Sequence, residues 1–167
     1  MIRAHQHAAG AANSNANTEA LGYSKGGFST KIHLRCEGNG KPVTFLLTMG
    51  QRNESVMFER LMEQGAVKRP RPGRPRLRPR RVAGDKGYTG RRIRRYLHRR
   101  GIGAVIPRLI HEPRRGTRFD RQAYRQRNRV ERLFNRLKQF RRIATRYEKR
   151  AVNYLAMLTL ASILLWL

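Results

Sequence analysis

One cysteine, Cys36, stands in 167 residues. A lone cysteine forms no disulfide within the chain and no CxxC metal knuckle, which excludes small secreted scaffolds and zinc ribbons and leads us to expect a reducing, cytoplasmic compartment. Acid is nearly as scarce. Asp and Glu together number 10, only two of them aspartates (Asp85 and Asp120), against 38 Lys and Arg, for a net charge of +28. Solubility requires far less charge than this, and the imbalance points to a polyanionic partner. Only seven of the basic residues are Lys; Arg dominance suits bidentate phosphate contacts and equally fits codon bias in a GC-rich genome. The chain also lacks an apolar run long enough for a membrane. Its best candidate, residues 152–167, has 16 residues, contains Asn153 and follows Glu148-Lys149-Arg150, whereas a spanning helix needs about 20 apolar residues. It reads as a buried terminal helix. The first 20 residues have no continuous apolar stretch of the kind that secretory signals carry, and the total length suits one domain with a modest core.

Between those limits the chain alternates short strands and helices. Residues 8 to 20 are rich in Ala, Asn and Ser without periodicity and read as a mobile loop. Phe28 to Arg35 alternates Phe28, Thr30, Ile32 and Leu34 with polar residues, a half-buried strand. Gly38-Asn39-Gly40 signals a tight turn into a second strand, Pro42 to Met49, so a hairpin is predicted. Asn53 is a candidate cap for a helix running to about Gln64. Lys68 to Arg81 contains four prolines and is expected to be an exposed basic loop. A short strand at residues 81–85, a basic helix from a Thr89 cap to about Arg100, and a buried strand at residues 104–107 follow. Two helices close the chain, at about residues 121–141 and 150–167. The order is that of a mixed α/β protein built around one sheet.

Two places carry candidate chemistry. On the long helix, Tyr124, Arg127, Glu131 and Lys138 fall within roughly 60° of one another at about 100° per residue. A second stripe of Val130, Leu133, Phe134 and Leu137 would dock on the sheet, which puts Glu131 at the edge of the buried face, flanked by two cations. The alternative is an ordinary solvated charged face. The other place is Gly84-Asp85-Lys86-Gly87-Tyr88, directly after a strand. There the glycines permit a sharp turn and close approach, and Asp85 would be presented at the strand's C-terminal end. A merely turn-forming Asp is the alternative. In the basic loop, Gly73-Arg74-Pro75 resembles the core of an AT-hook, whose Arg enters a narrow minor groove, although a loop touching phosphates fits the same residues. His5 and His7, two apart without a nearby carboxylate, make a weak metal site.

The spacing Tyr124, two residues, Arg127, three residues, Glu131, six residues, Lys138 resembles the signature of bacterial insertion-sequence transposases of the DDE class. GDKGY resembles that family's second-aspartate motif. RAHQHAAGA near the start, GGFSTKIHL, RNRVERLFNRLKQFRRIATRYEK and NYLAMLTLASILLWL match in order, over almost the full length, and the resemblance is closest to the group named after insertion sequence five. It implies an RNase H-like fold, a mixed sheet flanked by helices, with Asp85 after the fourth strand and Glu131 on the helix beyond the fifth. It implies an enzyme that cleaves and transfers DNA strands by phosphoryl transfer with two Mg²⁺ (or Mn²⁺) ions, Asp85 and Glu131 serving as catalytic metal ligands. Tyr124, Arg127, Lys138, Lys86 and Arg74 would support the site or bind DNA. The partners implied are double-stranded DNA, as transposon ends and target, and further copies of the chain in a homo-oligomer on DNA. No membrane is implied, and the expected place is the nucleoid.

The pattern departs from the family at its start. Relatives carry an Asp-Ser-Thr-like segment just ahead of the RAHQHAAGA stretch, and that segment supplies the first catalytic aspartate; here no Asp occurs from Met1 to Gly84. A first strand missing or truncated, a buried edge left unpaired, and impaired catalysis are therefore expected. A non-catalytic DNA-binding fragment or regulator is the alternative.

Overall fold

The computed structural model describes residues 1–10, 15, 18–66, 71–110 and 119–167, and the chain divides into two compact units, residues 1–53 with 130–167 and residues 54–129. Part of the Ala-Asn-Ser stretch, the start of the basic loop and most of residues 108–118 lie outside the described residues.

The first unit is built on the predicted hairpin. β3 (Gly27–Cys36) and β4 (Pro42–Met49) run antiparallel from Thr30↔Met49 to Arg35↔Thr44, with a register shift between Arg35 and Cys36. Glu37 closes the turn: its Oε1 accepts from the backbone N–H groups of Asn39 (2.8 Å) and Lys41 (2.9 Å). Gly40 takes φ +85° there, a conformation that glycine adopts without strain. β2 (Gly22–Ser24) continues β4's side of β3, while β1 (Ile2–Ala4) takes the other side. β1 lies antiparallel to β3 (Ile2↔Thr30) and parallel to β7, Thr145–Arg146 (Arg3↔Thr145). Of the expectation that the first strand is missing or truncated, the absence and the unpaired edge are thereby corrected. A strand is present at this point, three residues long, bonded on both sides, with Ile2 in the core. Ile2, Ile32 and Phe45 of the sheet pack against Leu133 and Leu137 of α4 (Asn128–Lys138), Ile143 of α5 (Arg141–Ala144), and Tyr154, Leu158 and Ala161 of α6 (Ala151–Trp166). Among the described residues no helix is long and apolar enough to cross a membrane.

The second unit holds α1 (Glu54–Glu63), β5 (Arg81–Ala83), α2 (Arg91–Arg99), β6 (Gly103–Val105) and α3 (Arg121–Arg125). Its core is Phe58, Met62, Ile93, Leu97, Ile102 and Ile106. β5 and β6 pair in parallel, Arg81↔Gly103 to Ala83↔Val105, as a separate two-stranded sheet. This corrects the single-sheet expectation: each strand has three residues, and only Val105 among them is buried, so little apolar surface is available to extend the pairing. Thr89 does not cap α2. Gly90, at φ +147°, occupies the cap position, and the Thr89 hydroxyl accepts instead from Arg94 Nη2 at 3.1 Å. The described part of the basic loop, residues 71–80, is exposed but for a partly covered Pro79 and forms no helix and no ladder beyond a single bridge.

The long helix expected over residues 121–141 is the largest correction. It is three pieces, α3, α4 and α5. At residues 126–127 the helix tightens into three-residue turns, Arg127 N–H bonding Tyr124 O at 2.9 Å and Arg129 N–H bonding Gln126 O at 3.0 Å. At Phe140 the backbone becomes extended, because this ring is drawn into the first unit's core. Tertiary packing overrides the helical period there.

Candidate active site

Gly84-Asp85-Lys86-Gly87-Tyr88 follows β5 as predicted. Gly84 N–H bonds Val105 O at 3.4 Å, which carries the parallel pairing one step past the strand and leaves Asp85 at its C-terminal end. Both glycines have steric reasons. A Cβ on Gly84 would stand 3.3 Å from the Tyr88 ring and 3.5 Å from Ile106, and one on Gly87 would stand 3.1 Å from Asp85 Oδ1. Asp85 is exposed, and its Oδ1 accepts from Gly87 N–H at 2.9 Å, capping the 3-10 turn Lys86–Tyr88. The turn-forming role and the presentation of a carboxylate thus coexist in one residue. Lys86 is exposed beside it. Tyr88 is half-buried against Phe58 (ring centroids 5.6 Å). Its hydroxyl is pushed up to about 12, first by burial and then by the negative charges of Asp85 and Glu54.

The four residues of the predicted stripe divide at the helix break. Tyr124, on α3, packs on Phe119 (5.3 Å), and the Arg127 guanidinium in the following turn lies 5.8 Å from the Tyr124 ring centroid. This is a cation–π pair that fixes the arginine's stem. Both belong to the second unit, whereas Glu131 and Lys138, on α4, belong to the first. One continuous helical stripe is therefore not what holds them. On α4 the apolar stripe is as expected, Leu133 and Leu137 each being 1% exposed, but Glu131 is exposed and not at the edge of the buried face. It sits in the helix's first turn, with Arg136 and Lys138 in the last, so each charge opposes the nearer pole of the helix dipole. Arg74 is exposed on the basic loop.

Carboxylates at Asp85 and Glu131 are hard oxygen donors, the right chemistry for Mg²⁺ or Mn²⁺. Their number falls short of a two-ion site, and among the described residues no three His, Cys, Asp or Glu side chains gather. His5 and His7 stay at the sheet: His5 Nδ1 accepts from His7 N–H at 3.3 Å, and the His5 ring stacks on Tyr147 at 4.9 Å. They are engaged with each other and with an aromatic.

The family model for the transposase DDE domain matches residues 1–166. The chain belongs to the DDE transposases. This transposase chain is also 34% identical, over 136 residues, to a Burkholderia cepacia protein provisionally named as a transposase for insertion sequence element IS402. The match covers 81% of the present chain and 62% of that protein, so the chain spans less than two thirds of the curated relative's length. No solved structure matches. The insertion-sequence family and the mixed α/β architecture read from the sequence both stand.

Sequence reasoning passed over two features of this transposase. Asp120 caps α3, accepting from Ala123 N–H at 2.8 Å, and pairs with Arg81 at 2.9 Å; an Asp directly ahead of a helical stretch is a readable capping signal. Arg146 is 0% exposed. No local pattern separates it from the chain's many other arginines.

Proposed function

We propose that this chain is the catalytic portion of an insertion-sequence transposase of the group of insertion sequence five, and that residues 1–167 act as one functional domain. The reaction is cleavage and transfer of DNA strands at transposon ends and target. The observation that supports this reading best is the family match over residues 1–166, together with two exposed carboxylates placed at a strand end and in the first turn of a helix. Asp85 and Glu131 are the residues that would hold divalent ions, Mg²⁺ or Mn²⁺. When bound, two such ions activate the attacking oxygen and stabilise the leaving oxygen of an in-line displacement at phosphorus. The chain's own residues do the rest. Gly87 N–H holds one oxygen of Asp85 and so limits its rotation. Tyr124 carries Arg127 as a phosphate contact, and Lys138, Lys86 and Arg74 add positive charge along the DNA path. The assembly acts as a homo-oligomer on DNA in the nucleoid.

Because no Asp precedes Gly84, the 167-residue chain alone is weak or inert in strand transfer. The test is a nicking assay in Mg²⁺ or Mn²⁺ with a chain extended upstream to include the family's first aspartate. Asp85→Ala and Glu131→Ala should each abolish nicking, and activity that survives both substitutions overturns the reading. Strand transfer by the 167 residues alone would overturn the impairment. The net charge of +28 and the shortage of Asp favour a second reading, a regulator that occupies DNA without cutting it. Tight, steeply salt-dependent binding with no metal-dependent cleavage by the extended chain would select it.

A further inference from the structure

The basic face of α2 is not used by the candidate site. Arg92, Arg95, Tyr96, Arg99 and Arg100 line, with Glu59 of α1, a cleft of about 490 Å³ in the second unit, and none of these six is among the residues assigned above. The opposite face of α2 is anchored in the core, Ile93 being 2% and Leu97 0% exposed, so the arginines are held on a fixed rod. Two of them are oriented by α1: Arg92 Nε pairs with Glu59 Oε1 at 2.8 Å and Arg100 Nη2 with Glu63 Oε1 at 3.1 Å. The Arg100 guanidinium also stacks over Tyr96, 4.6 Å from its centroid. Arg95 and Arg99, between those pairs, are exposed, and neither has an ion pair among the described residues.

This is an unfavourable helix left to itself. Its first turn has no acidic residue, so arginines lie at the positive pole of the helix dipole, and like charges four apart repel. An ordinary solvated face would intersperse the signs. Here, among the described residues, the one acid lining the cleft is Glu59 of α1, and Glu63 of the same helix pairs with Arg100. A bound polyanion would relieve both penalties at once.

We propose that the α2 cleft is a docking site for the phosphodiester backbone of duplex DNA, additional to the carboxylate site, with Arg95 and Arg99 as direct phosphate contacts and Arg92 and Arg100 as oriented flanking cations. Arg92 to Arg99 advances about 10 Å along the helix, long enough to face more than one phosphate of a strand that carries a charge for roughly every 3.4 Å of duplex axis. Arginine's planar fork grips such oxygens in pairs. The inference rests on the proposal that DNA is this chain's partner.

The test uses the 167-residue chain and a labelled random-sequence duplex, with binding followed by fluorescence anisotropy across a chloride series. The Arg95→Ala/Arg99→Ala variant should lower the slope of log K against log salt by about 2, at roughly 0.9 per phosphate contact, and weaken binding at least tenfold at moderate salt. Its circular dichroism and thermal unfolding should match the parent, because both side chains are exposed. Arg95→Lys/Arg99→Lys should retain the slope and recover only part of the affinity. An unchanged slope in the Ala variant overturns the proposal, as does an equal loss in Lys25→Ala/Arg52→Ala, which removes the same charge from the first unit. Inorganic phosphate that displaces the duplex beyond chloride of equal ionic strength would assign the cleft to free anions and overturn the DNA assignment. A parent chain that binds no duplex at all would bring down the DNA reading itself, not this site alone.

Discussion

Arg146 shows how much one side chain can hold in a small unit. From a fully buried position its guanidinium donates to Glu19 O, Thr30 Oγ1, Glu148 O and Lys149 O, and it lies 5.4 Å from the Tyr154 ring centroid. Burial lowers its pKa from the ordinary value, with Tyr154, Glu19 and Glu148 opposing that shift. Arg146→Ala would leave three backbone carbonyls unsatisfied and open a cavity, and should destabilise the chain by about 3 kcal/mol or more in urea unfolding; Arg146→Lys, lacking the fork, should recover only part. Tyr88 gives a prediction in pH. Its folded-state hydroxyl titrates near 12, above the ordinary 10.0, so the folded chain holds that proton more tightly than the unfolded one. The contribution is complete below pH 10 and is lost as pH rises from about 10 toward 12. Tyr88→Phe should flatten that limb of a stability-against-pH curve, although Tyr154, also raised by burial, retains its own share. None of this was readable in advance. The placement of Asp85 at a strand end was, because glycines on either side of an acid after a strand form a local signal, whereas Arg146 acquires its meaning in part from partners more than 100 residues away.

At the scale of elements, α4 separates stability from chemistry. Leu133 and Leu137 fill the core, so Leu137→Ala should cost about 2 to 5 kcal/mol, while Glu131→Gln on the exposed face should change stability by less than about 0.5 kcal/mol. Equilibrium unfolding of both variants checks this; a large loss in Glu131→Gln would mark the carboxylate as structural and weaken its assignment as a metal ligand. The β3–β4 hairpin was legible to within one residue at each strand end because period-two alternation and a glycine turn are local and agree. The helix over residues 121–141 was not. Its period is locally sound, but Phe140 gains more from the core than from helical continuity, and the turn at residues 126–127 carries no glycine or proline to announce it. β1 was missed for a related reason: three residues carry no periodicity, and it is the pairing with Ser29–Thr30 on one side and Thr145–Arg146 on the other that makes a strand of Ile2–Ala4.

For the whole molecule, charge and exposure set the behaviour. Residues 71–80 are exposed but for Pro79, arginine-rich and nearly without backbone pairing, so limited trypsin digestion should cut there, after Arg76 or Arg80, which no proline follows, before it cuts α2, whose arginines stand on a folded helix. Duplex DNA that docks on α2 would slow cleavage on that helix further, and mass spectrometry of early fragments reads both effects. The first unit is assembled from both ends of the chain, residues 1–53 and 130–167, while the second is one continuous stretch. A ribosome therefore delivers these parts in a fixed order. The hairpin and the whole second unit are synthesised before Thr145 and Arg146, so β1 waits with one side open, and the His5 N–H waits for the Arg146 carbonyl that it bonds at 2.8 Å. Contacts this distant in sequence are slow to close. During synthesis the flank of β1 that later pairs with Thr145 and Arg146 is thus open to mispairing until those two residues have left the ribosome.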